Sequence, residues 1–163
     1  MRRASWLVLV LCAAGCGNAK VQPMPFNHKL HVTKAELQCD SCHENVAEGA
    51  VAGFPRVRVC MRCHKNEEPA NPAAVPYIED IRRHAKEGTD IPWQRLYVLP
   101  RHVYFSHRRH TEIAGLECKE CHGDMAELEA PPSEPVAKTL TMTNCLACHV
   151  ERKVLNDCAG CHR

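Results

Sequence analysis

A chain of 163 residues with only 5 % aromatic residues lacks the side chains for a large apolar core of its own, yet it holds 12 cysteines. Lysine and arginine number 21 against 19 acidic residues, a balance that excludes the strongly basic surface of a nucleic-acid-binding protein. Beyond the first residues no apolar run is long enough to span a membrane.

The first segment reads as a targeting sequence. Arg2 and Arg3 form a basic start, and Trp6 to Ala14 form a short apolar stretch. Ala13 to Cys16 then resembles the cleavage box of a lipoprotein signal. Residues 1–15 are expected to be removed as a signal peptide, leaving Cys16 as the lipidated first residue and 148 of the 163 residues. The alternatives are an ordinary signal peptide and an uncleaved anchor. In each case the body is exported, and a lipid on Cys16 places it on the periplasmic side of a membrane. Loss of Arg2 and Arg3 leaves 19 basic residues against 19 acidic ones. Residues 16–24 read as a linker, and 25–163 as a single domain.

Five copies of Cys-x-x-Cys-His follow: Cys39–His43, Cys60–His64, Cys118–His122, Cys145–His149 and Cys158–His162. Random placement at this cysteine and histidine content predicts about 0.06 such motifs. Positions i, i+3 and i+4 share one face of a helical turn. The pairs Cys39/Cys42, Cys60/Cys63, Cys118/Cys121, Cys145/Cys148 and Cys158/Cys161 can therefore each form two thioethers to one porphyrin. The adjoining His43, His64, His122, His149 or His162 then meets the iron from the same side. Zinc needs no histidine directly after each second cysteine, and a disulfide framework needs no histidine at all. Five covalently bound haem c groups are expected, at about 30 residues of mature chain each. The porphyrins must then serve as the core, and their propionates turn the net charge negative.

Seven residues separate Phe26-x-His28-x-x-His31 from Cys39, and seven separate Phe105-x-His107-x-x-His110 from Cys118. Between 26–48 and 105–127, at a constant offset of 79, 10 of 23 positions are identical. That marks a duplicated unit, about 25–65 and about 104–150, with the motif at 158–162 as an addition. Between the units, Asn66 to Pro76 reads as a loop. Tyr77 to Lys86 carries Ile78, Ile81 and Ala85 at helical spacing, with Gly88 as a stop. Pro92 to Pro100 reads as extended and Pro131 to Pro135 as a loop. The fold class is therefore mostly irregular with short α-helices, and the two units are not independent domains.

Six histidines stand outside the motifs: His28, His31, His84, His102, His107 and His110. Five irons need at most five distal ligands, so the arithmetic favours histidine on both sides of every iron or nearly every one. His28 and His31 share one turn, as do His107 and His110, so each short element can serve two neighbouring haems. The fifth ligand is left among His84, His102 and Met142, which stands three before Cys145. A His/Met site has the higher potential.

The F-x-H-x-x-H segment ahead of Cys-x-x-Cys-His resembles the class III multihaem cytochromes c. The resemblance implies that His28 serves the haem at Cys39/Cys42 and His107 the haem at Cys118/Cys121. It implies that His31 and His110 each serve another haem. Trp93, Arg95, Leu99-Pro100, Val103-Tyr104-Phe105, Gly115-Leu116-Glu117 and Leu140-Thr141-Met142 extend the likeness. They are similar to the pentahaem subunit of alternative complex III. That likeness implies electron transfer from a membrane quinol oxidoreductase toward a periplasmic acceptor, and redox proteins as partners.

An electron carrier rather than an enzyme is thus expected. The rival from another class is a multihaem reductase of a nitrogen or sulfur oxyanion. That chemistry needs an iron with an open position, and no motif variant marks one. A third reading is a haem store within a complex.

Overall fold

The computed structural model describes residues 20–154 and 157–162. The expected signal peptide and Cys16 lie outside the described residues. Short helices joined by long irregular stretches make up the fold, and among the described residues the only β pairing is one antiparallel bridge between Val103 and His162.

The helices are α1 (His28–Thr33), α2 (Cys39–Cys42), α3 (Val57–His64), α4 (Val75–Glu87), α5 (Lys119–His122), α6 (Met142–Glu151) and α7 (Cys158–Cys161). Each Cys-x-x-Cys segment lies in a helical turn. The amides of His43, His122 and His162 donate to the carbonyls of Cys39, Cys118 and Cys158, each at 2.9 Å. Asn27 caps α1, its Oδ1 accepting from the Leu30 amide at 2.7 Å. Its counterpart Ser106 accepts from the Arg109 amide at 3.4 Å. There the backbone takes a wider π-type turn, Arg109–Ile113, so the two copies of the duplicated element differ in winding. Both then reverse through a left-handed residue at the same place in the repeat, Glu36 at φ 54° and Gly115 at φ 63°.

The longest helix, α4, starts ahead of the expected Tyr77. A 3-10 turn at Pro72–Ala74, capped by Asn71, leads into it, so the expected loop ends earlier. Pro76 is tolerated because a first-turn amide needs no partner within the helix. Gly88 ends the helix at φ 67°, its amide donating to the His84 carbonyl. Residues 92–100 run without helix or ladder pairing.

The apolar core is small. Met24, Val57, Ile78, Ile81 and Ile91 are its buried members, with Cys60, Met61, Ala85 and Trp93 packed against them. It lies between α3 and α4, on the side of the first unit, and α5, α6 and α7 bury no residue. Met24 belongs to it although residues 16–24 read as a linker, and the Lys20 amide reaches the Ser133 carbonyl at 3.1 Å. Among the described residues no helix is long and apolar enough to cross a membrane.

Candidate haem sites

Each motif turn presents two thiols and an imidazole, and the fold brings a second imidazole to face it. Two metal–nitrogen bonds of about 2.0 Å, with about 1.1 Å from each nitrogen to its ring centre, put two imidazoles on opposite sides of one metal ion about 6 Å apart, centre to centre. His31 and His64 stand 6.2 Å apart, His110 and His149 also 6.2 Å, and His107 and His122 6.4 Å. His102 and His162 stand 5.6 Å apart with their rings at 23°. His28 is close enough to His43 for their charges to oppose one another. The pairing respects the duplication, because His28 with His43 stands where His107 stands with His122. His31 likewise reaches the second motif of its unit, as His110 does in the other.

Spacing treats the five motifs alike, and the structure sets one of them apart. In four motifs the first thiol is exposed and the second half-buried: Cys39 and Cys42, Cys118 and Cys121, Cys145 and Cys148, Cys158 and Cys161. The pair on α3 reverses this order, with Cys60 half-buried and Cys63 exposed. The cause is the apolar core. Cys60 packs against it, whereas Cys63, one turn further along α3, is left at the surface. Cys63 thus keeps the spacing of a second motif cysteine but not its cover.

Backbone carbonyls orient four of the facing rings. Nδ1 of His31 pairs with the Asn27 carbonyl and Nδ1 of His110 with that of Ser106, each at 2.8 Å. Nδ1 of His43 pairs with the Gly53 carbonyl at 2.8 Å, and Nδ1 of His107 with the Ala50 carbonyl at 3.1 Å. A ring that donates from Nδ1 keeps its lone pair on Nε2, the tautomer a metal needs. Phe26 stacks on His31 at 4.4 Å and meets His28 edge-on at 4.8 Å. Phe105 does the same for His110 at 4.5 Å and His107 at 4.9 Å. Tyr97 meets His122 edge-on at 4.7 Å.

Electrostatics favour the neutral form at three of these histidines. Burial, followed by the charges of His43 and His31, lowers the pKa of His28 to about 4. Burial likewise lowers those of His64 and His122. The Cys39, Cys42, Cys60, Cys121 and Cys145 thiols are pushed up, chiefly by burial. A redox Cys-x-x-Cys shifts in the opposite direction. All ten described cysteines are free of disulfides, and among the described residues no group of three or more His, Cys, Asp or Glu gathers as a zinc site would require. Two thiols and facing imidazoles about 6 Å apart fit a covalently held porphyrin between them.

His84 and Met142 stand apart from these pairs. His84 Nδ1 is engaged by the Thr89 hydroxyl at 2.8 Å, and its Nε2 lies 3.7 Å from Asp80. Met142 opens α6 with 54 % of its surface exposed.

The match to a family of known proteins covers residues 24–86 and 103–163. This chain belongs to the family of cytochrome c7 and related cytochromes c. The two matched stretches begin 79 residues apart, which is the offset of the internal repeat. The chain is also 28 % identical over 166 residues to the multihaem cytochrome c subunit of menaquinone reductase from Nitratidesulfovibrio vulgaris strain Hildenborough. That alignment covers 88 % of this chain and 78 % of the relative. As a cytochrome c7-type protein, the chain is a multihaem cytochrome c that takes part in electron transfer and binds haem c covalently.

Sequence reasoning found the histidines but not what holds them. Phe26 and Phe105 stood among the repeat identities and in the F-x-H-x-x-H segment, but neither signal gave them a part in holding the rings. The carbonyls of Asn27, Gly53, Ala50 and Ser106 are backbone groups and leave no trace in a motif. Tyr97 belongs to neither the repeat nor a motif.

Proposed function

We propose that this chain is a pentahaem electron carrier on the periplasmic side of a membrane, with histidine on both faces of all five irons. The ligand pairs are His28 with His43, His31 with His64, His107 with His122, His110 with His149, and His102 with His162. The observation that carries this reading is the spacing of the facing rings, 5.6 to 6.4 Å in the four pairs measured. Haem c, when bound, supplies reversible one-electron exchange at iron. The polypeptide fixes the ring planes through Phe26 and Phe105, holds the tautomers through backbone carbonyls, and leaves no iron open to a substrate. In this reading His84 and Met142 are not ligands, because the Nε2 of His84 lies against Arg83 and Asp80 and Met142 faces solvent.

Residues 25–163 act as one domain, residues 1–15 are the leader, and a lipid on Cys16 ties the protein to the membrane. The partners are redox proteins, among them a membrane quinone-linked complex. The name of the menaquinone reductase relative supports that partner, and so does the likeness of the Trp93-to-His110 string to the alternative complex III subunit. Optical and EPR spectra of the holoprotein, with and without carbon monoxide, test the reading. Five low-spin haems that ignore carbon monoxide are expected. A high-spin iron that binds it overturns the carrier and brings the oxyanion reductase forward.

A further inference from the structure

We propose that the five haem sites form one unbranched file in the order Cys60, Cys39, Cys118, Cys145, Cys158, with the Cys60 and Cys158 sites at its two ends. The order rests on the pentahaem reading above and adds to it which sites are neighbours, something the chain order does not contain. Every junction has its own contacts.

The Cys60 and Cys39 sites meet through Glu44, just past the first motif, which pairs with both Arg58 and Arg62 of α3, the latter at 2.8 Å. Helix α1 also ties the same two sites, because His31 faces His64 while His28 is close enough to His43 for their charges to oppose one another. The Cys39 and Cys118 sites meet where their two thiols come within hydrogen-bonding reach of each other. There, a shallow cavity of about 250 Å³ is lined by Cys39 and Cys118 together with Val46 and Thr111. His107 crosses the same junction, since its ring faces His122 while its Nδ1 holds the Ala50 carbonyl of the first unit.

The Cys118 and Cys145 sites are joined by Glu120 to Arg152, and by the shared element bearing His107 and His110. Cys145 is close enough to Cys161 of the last motif for their charges to oppose one another. The last turn is held against the second unit by the Tyr104 amide, which donates to the Cys161 carbonyl at 2.8 Å, and by the Val103–His162 bridge. The duplicated units are thus joined through their first motifs, and the added motif extends one end. An electron that crosses the whole protein passes the single Cys39/Cys118 junction. The two ends differ in surroundings: Cys60 packs on the apolar core, whereas α7 buries nothing.

The test uses the intact holoprotein. Its mass counts the haems first, and proton NMR of the fully reduced, diamagnetic form then records through-space contacts between haem substituents. Each haem is assigned through its own cysteine β-protons. Contacts are expected between the sites at Cys60 and Cys39, Cys39 and Cys118, Cys118 and Cys145, and Cys145 and Cys158, and between no others. A contact linking the Cys60 site to the Cys118, Cys145 or Cys158 site, or none between the Cys39 and Cys118 sites, overturns the file while leaving the pentahaem reading intact. A mass with fewer than five haems overturns both.

Discussion

Phe105 offers the most direct test of how the polypeptide controls its irons. Its ring stacks on His110 and meets His107 edge-on, at 4.5 and 4.9 Å. Such aromatic pairs contribute about 0.5–1.5 kcal/mol each, so Phe105→Leu removes about 1–3 kcal/mol of ring orientation while keeping most of the packed volume. At 1.4 kcal/mol per tenfold, the fraction of reduced protein with one of these histidines off its iron rises about 5- to 140-fold. The assay is carbon monoxide binding to the reduced holoprotein, read optically, with low-temperature EPR of the oxidised form to follow ligand geometry. Phe26→Leu is the internal replicate, because Phe26 makes the same two contacts and a third, to Trp93 at 6.3 Å. Its effect is expected to be the larger by about 0.5–1.5 kcal/mol if the Trp93 pair counts fully. Carbon monoxide binding and EPR signals unchanged from wild type in both variants refute the idea that these rings hold the ligands.

His102→Ala opens one iron, so the reduced variant binds one carbon monoxide per molecule, whereas His84→Ala binds none; the reverse pattern assigns the fifth ligand to His84. Blocking haem attachment leaves a chain with no cooperative urea transition in circular dichroism, because the five side chains buried among the described residues cannot order the whole molecule. Glu36→Gly relieves a left-handed residue at φ 54° where the second copy already has Gly115, and raises stability by about 1 kcal/mol, measured as a higher thermal midpoint. Cys16→Ala moves the protein from the membrane fraction to the soluble periplasmic fraction on cell fractionation, and membrane retention counts against the lipid anchor.

The motif residues were legible because covalent attachment is a local requirement. Two thiols and an imidazole on one helical turn are set by spacing alone, and each motif does lie in such a turn. The duplication was legible for the same reason, as were α4 and its Gly88 stop. The reach of Met24 into the core, the reversed cover of Cys60 and Cys63, and the π-type winding at Arg109–Ile113 were not legible. Those depend on contacts made elsewhere in the chain and on the strength of one cap.

Sequence by itself determined that this is a multihaem chain with a surplus of histidines, since every group needed to attach a haem lies within five consecutive residues. Only the tertiary structure decided which imidazole faces which. His31 meets His64 across 33 residues of chain, and His102 meets His162 across 60. The partner on the far side of a metal can come from anywhere the backbone folds, so no spacing rule names it. His84 shows the same limit: as a residue type it equals His102, and only its place on α4, beside Thr89 and Asp80, separates the two.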